Sequence, residues 1–160
     1  MWSGSSGRWC NGGPMIDRSA RENLAERLRK LASGSITNFK FDARARNSRD
    51  RAVREVEWLL AWPRYDDTYE HTLTGEHALT LGVRRDFARA VLFLKTDCEY
   101  RWRREWALAR VWRHLKQLVP NRRSPRAQPE QGDLRVWPFW SFTEYRRALR
   151  QPPYLRGVNA

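Results

Sequence analysis

Apolar side chains in this 160-residue chain recur at intervals of three and four and nowhere alternate long enough to make a strand, which confines the fold to packed helices. The clearest stripe follows Thr80, a residue suited to N-capping. Phe87, Val91, Leu94 and Cys98 fall at i, i+4, i+7 and i+11, with Ala88 and Leu92 beside them. An earlier helix is predicted from about Ser19 to Ser33, where Leu24, Leu28 and Leu31 share a face and Gly34 supplies the C-terminal stop.

Between these two, Ile36-Thr37-Asn38 offers a turn and a cap for a short helix carrying Phe39 and Phe41. Ser48 is placed to cap a further helix in which Val53, Val56, Leu59 and Leu60, together with Trp58 and Trp62, are expected to form a broad buried face. Pro63 ends or kinks it. Helical spacing resumes over Tyr65 to His71 before the turn at Thr74-Gly75. A fourth long segment, Arg103 to Val119, precedes the proline-bearing stretch 120–133, which reads as a loop. Ser141 to Glu144 has capping-box spacing for a last helix ending at Arg150.

The expectation is therefore a mainly α fold, a small bundle of four to five helices, with the short aromatic segment Leu134 to Trp140 read as extended. Residues 1–17 read as a Gly- and Ser-rich flexible tail and 18–157 as one helical domain, with a basic helix and loop at 101–133. A hydrophobic fraction of 41%, with nine Trp, six Phe and five Tyr, is enough for a core. The longest apolar runs are far shorter than the roughly 18 residues of a membrane span. Nothing at the start resembles a secretory signal. Cys10 and Cys98 make no disulfide framework. A cytoplasmic location is expected.

The net charge of +13 points to an anionic partner, either nucleic acid or an acidic protein, or else a lipid surface. Arg outnumbers Lys by 27 to 4, and Arg, Ala and Trp have GC-rich codons, so genome composition competes with a binding role. Position must decide, and the excess is concentrated, because residues 101–126 alone carry +8. In a helix there, Leu108, Val111, Trp112 and Leu115 form a core face, while Trp102, Arg103, Trp106, Arg110 and Arg113 gather on the opposite side. Such a stripe suits base stacking with phosphate neutralisation, or an anionic lipid surface. In the competing structural reading, Trp102 and Trp106 pack under another segment such as Trp137 to Phe142, and the Arg stems stack on their indoles. Bare tryptophans are uncommon on soluble monomers, which favours the second reading.

A mixed cluster of acids and histidines occupies Asp66, Asp67, Glu70, His71, Glu76 and His77. Asp67 and His71 would share a helical face, and His77 could close a divalent-metal site across the turn. The spacing matches no paired metal motif, and acids before a turn commonly serve solvation or pair with Arg. No serine lies in a nucleophile elbow, Cys98 sits on an apolar stripe, and no glycine loop suits a phosphate. No cofactor is implied.

Several segments taken together resemble a family of small bacterial proteins without an established activity: Leu31-Ala32-Ser33-Gly34-Ser35-Ile36-Thr37-Asn38, Tyr65-Asp66-Asp67, His71-Thr72-Leu73-Thr74-Gly75, Val91-Leu92-Phe93-Leu94-Lys95-Thr96-Asp97, and Gly132-Asp133-Leu134-Arg135-Val136-Trp137-Pro138-Phe139. The resemblance spans roughly Arg21 to Gly157. It implies a bacterial cytoplasmic domain in which, if the order of the segments reflects packing, Trp137-Pro138-Phe139 is an extended strap packed across the helices, and it carries over no site residue. The leading expectation is a non-enzymatic interaction module using the basic aromatic helix. The alternatives are a nucleic-acid-binding protein and a metal-dependent enzyme built on 66–77.

Overall fold

Asp17 accepts a hydrogen bond from the Ala20 N–H, so the last residue of the expected tail is the N-cap of the first helix. The computed structural model describes residues 16–42, 48–102 and 132–150. Helix α1 spans Arg18–Ala32, α2 Asn38–Asp42, α3 Arg51–Leu60, α4 Leu81–Leu94 and α5 Phe142–Arg150. Short 3-10 turns cover Trp62–Arg64, Gly75–His77 and Leu134–Val136. Among the described residues there is no strand, and no helix is long and apolar enough to cross a membrane.

The principal packing pair is α1 on α4, with α3 against both and α5 against α4. Leu24, Leu28 and Leu31 of α1 meet a core that includes Val53, Val56 and Leu60 of α3 and Phe87, Ala90 and Leu94 of α4. The periodic stripes thus do what their spacing predicts. Helix α1 ends in a Schellman arrangement: the Ser35 N–H donates to the Lys30 carbonyl and the Gly34 N–H to that of Leu31. Gly34 has φ +73°, and a Cβ there would collide with the Thr74 side chain, so both backbone and space require glycine.

Three local expectations are corrected. The cap of α3 is Asp50, whose carboxylate accepts the Ala52 N–H at 2.8 Å, while Ser48 bridges Asp17 and the Asp50 N–H. Residues 65–71 are not helical. Asp66 folds back to accept the Thr68 and Tyr69 N–H groups, a local alternative that outcompetes the helix. Helix α4 stops at Leu94, so Cys98 lies beyond it, partly buried against the core.

One feature went unpredicted. Arg21 and Asp50 form an ion pair at 2.6 Å with both side chains at 2% exposure or less. Arg21 also donates to the carbonyls of Thr96 and Cys98, and Asp50 accepts from the Asp17 and Ala52 N–H groups. This satisfied network ties α1, α3 and the segment after α4 together, compensating for desolvation of the two charges. Its signal was present in the sequence: Arg21 lies at i−3 and i−7 from Leu24 and Leu28, on the apolar stripe.

The strap packs on the helices, but as turns and not as the extended segment expected: directly after the Leu134–Val136 turn the Phe139 N–H donates to the Val136 carbonyl at 3.0 Å. Trp137, Pro138 and Phe139 are buried, and the Trp137–Pro138 peptide is cis. Phe139 meets Phe93 of α4 edge to face at 5.2 Å, and the Trp137 Nε1–H donates to the Tyr100 hydroxyl at 3.2 Å. Ser141 accepts the Glu144 N–H at the start of α5, and the Glu144 carboxylate returns to the Trp140 N–H, one residue earlier than a strict capping box.

Candidate functional site

Trp102 decides between the two readings of the basic stripe as far as its own position reaches. It is 2% exposed, donates its Nε1–H to the Pro138 carbonyl at 2.9 Å, and packs on Trp140 with ring centroids 5.3 Å apart. Its carbonyl accepts from the Arg51 guanidinium, which also lies 5.7 Å from the Tyr100 ring. Trp102 therefore belongs to the strap interface and is withdrawn from the set of contact residues. The other members of the stripe, Arg103, Trp106, Arg110 and Arg113, lie outside the described residues, as does most of the 101–126 charge.

The acid and histidine cluster is brought only partly together. Asn38, itself buried, holds the loop: its side chain donates to the Asp66 and Tyr69 carbonyls and accepts the His71 N–H, and its own N–H donates to the His71 carbonyl. This places the His71 and His77 rings 4.3 Å apart, with Tyr69 beside both. Glu70 accepts from Thr37 at 2.6 Å, and Asp67 is exposed. The Asp66 carboxyl is held below the usual carboxylate range, first by the Thr68 hydroxyl and then by the Thr68 N–H. Among the described residues no three His, Cys, Asp or Glu side chains are arranged to hold a metal ion, so Asp67, His71 and His77 do not form the expected site. The missing helix over 65–71 is the reason, since it was to align Asp67 with His71.

A row of exposed aromatic rings lies on α3 and the turn after it. Trp58 and Trp62, expected in the core, are 49% and 51% exposed. Their rings stack at 5.0 Å and 21°, and Trp62 stacks in turn on Tyr65 at 5.8 Å and 19°. Phe39 of α2 extends the row, 6.2 Å from Tyr65. Four rings thus run from α3 through the Pro63 turn to α2. The sequence contained this signal too: at about 100° per residue Trp58 lies opposite the stripe of Val53, Val56 and Leu60, on the side of Arg54. Counting tryptophans as core by residue type concealed it.

Comparison of the chain with protein-family models, with curated proteins and with solved structures returned no match.

Proposed function

We propose that this chain is an interaction module that binds a macromolecular partner through the row formed by Trp58, Trp62 and Tyr65. The observation that carries this reading is that two neighbouring indoles, each half in solvent, are stacked into one rigid strip. Large exposed aromatics forgo burial in the free protein and recover it in an interface, where Trp and Tyr supply a disproportionate share of the affinity. Mutual stacking fixes the rings in advance, so little side-chain freedom is lost on binding.

A second reading, single-stranded nucleic acid as the partner, is favoured by the net charge of +13 together with this row, since aromatic strips beside cations suit bases and phosphates. One experiment serves both. Titrating an oligothymidine into the full chain while following tryptophan emission gives quenching that weakens steeply with salt if the partner is nucleic acid. If the partner is protein, the same oligonucleotide leaves the emission unchanged, and affinity capture retains a protein that the Trp58→Ala, Trp62→Ala double variant releases. Equal behaviour of wild type and double variant in both assays would overturn the role of the row.

A further inference from the structure

Helices α4 and α5 leave between them a groove of about 970 Å³, separate from the aromatic row on α3. Its apolar lining comes from Leu92 of α4, Val136 of the strap turn, and Phe142, Tyr145 and Leu149 of α5. Helix α5 contributes little to the core: Ala148 is its one buried residue, while Phe142 and Leu149 remain 46% and 53% exposed at i and i+7 on the groove side. The rim is cationic. Arg85 and Arg89 of α4 and Arg135 border it.

The acids nearby are already engaged. Asp86 pairs with Arg89, Asp133 with Arg135 at 2.9 Å, and Glu144 with Arg101 at 3.6 Å. Arg85 is exposed and has no acid partner among the described residues. A slot with an apolar floor and a rim on which three arginines face two acids, leaving Arg85 without an acid partner among the described residues, is complementary to an amphipathic segment carrying apolar anchors on one face and a carboxylate beside them. The aromatic rings here do not serve base stacking: Arg146 covers the Phe142 ring at 4.7 Å, and Tyr145 packs on Phe139 at 5.4 Å.

We propose that the α4–α5 groove is a docking site for an acidic amphipathic helix of another protein, its apolar anchors seated against Leu92, Phe142 and Leu149 and a carboxylate on Arg85. The probe is a synthetic fluorescein-labelled peptide with Leu at i, i+4 and i+7 and Glu at the remaining positions, titrated into the full chain by fluorescence anisotropy. Saturable binding is expected, weakened roughly tenfold by Arg85→Glu, and separately by Leu149→Asp. These side chains are solvent-facing, so the variants should retain the wild-type melting temperature. A peptide with Lys in place of every Glu should not bind. Equal affinity for the Lys peptide, or binding indifferent to Leu149→Asp, would overturn the proposal. So would light scattering that shows a dimer dissolved by Leu149→Asp, because the occupant would then be a second copy of this chain.

Discussion

Two sets of tryptophans in one chain meet opposite fates. Trp102 and Trp137 are each 2% exposed and each gives its indole N–H to a partner, the Pro138 carbonyl and the Tyr100 hydroxyl. Trp58 and Trp62 stand half in solvent and touch mainly aromatic neighbours. The difference is not residue type but whether a second segment arrives to cover the ring and accept its proton. The strap does this for the residues after α4. Nothing among the described residues does it for α3. A tryptophan is a core residue only where its polar edge is also provided for.

The largest test removes the strap's anchor. Trp137→Ala should destabilise the fold by about 3–5 kcal/mol, the usual cost of deleting a buried indole. The melting temperature should fall by roughly 10 °C or more. An unchanged midpoint would make the strap an ornament and collapse the contrast. Trp102→Phe is gentler, keeping most of the ring but leaving the Pro138 carbonyl unpaired, at about 1–3 kcal/mol.

Gly132 sharpens the same side of the comparison. It has φ +61°, and a Cβ there would fall 2.9 Å from the Trp140 ring and 3.0 Å from that of Trp102. Gly132→Ala should therefore cost about 1–3 kcal/mol through crowding of that ring pair and an unfavourable backbone. Chemical denaturation would show it as a lowered midpoint at constant slope.

On the exposed side the effect on stability should nearly vanish. Trp58→Phe with Trp62→Phe should alter stability by less than about 1 kcal/mol while lowering the fraction of tryptophan emission that iodide quenches. Trp102→Phe should leave the quenched component in place. The reverse pattern would exchange the two groups and remove the basis for a binding row on α3.

Much of this was legible from spacing. The stripes of α1 and α4, the caps at Thr80 and Ser141 and the stop at Gly34 all follow from periodicity and local backbone chemistry, which depend on neighbours in sequence. What spacing could not supply were pairings between distant residues. Asn38 fixing the loop to His71, Arg21 reaching Asp50, and the Trp102 N–H finding Pro138 each join residues at least 29 positions apart. The helix expected over 65–71 failed for the opposite reason. There a nearer interaction, Asp66 bonding to its own following N–H groups, was stronger than a weak helical repeat.

The smallest effect concerns acid. Asp66 closes the turn next to Tyr65 at the end of the exposed row, and Asp133 accepts from Arg135 at the entry to the strap; both carboxyls titrate below their ordinary value of 3.8. A depressed folded-state pKa means that each contributes stability fully above the unfolded value and loses it as pH falls through the lower folded value. Both turns should therefore loosen only below about pH 4. The two sites separate by substitution. Asp66→Asn should remove the acid-dependent change in iodide quenching of Trp58 and Trp62, while Asp133→Asn leaves that change intact. The strap's indole hydrogen bonds are between uncharged groups, so they should persist through the same window. If Asp133→Asn abolished the quenching change as well, the row and the strap would be one cooperative unit, and the exposure of Trp58 and Trp62 would depend on the same packing that buries Trp102.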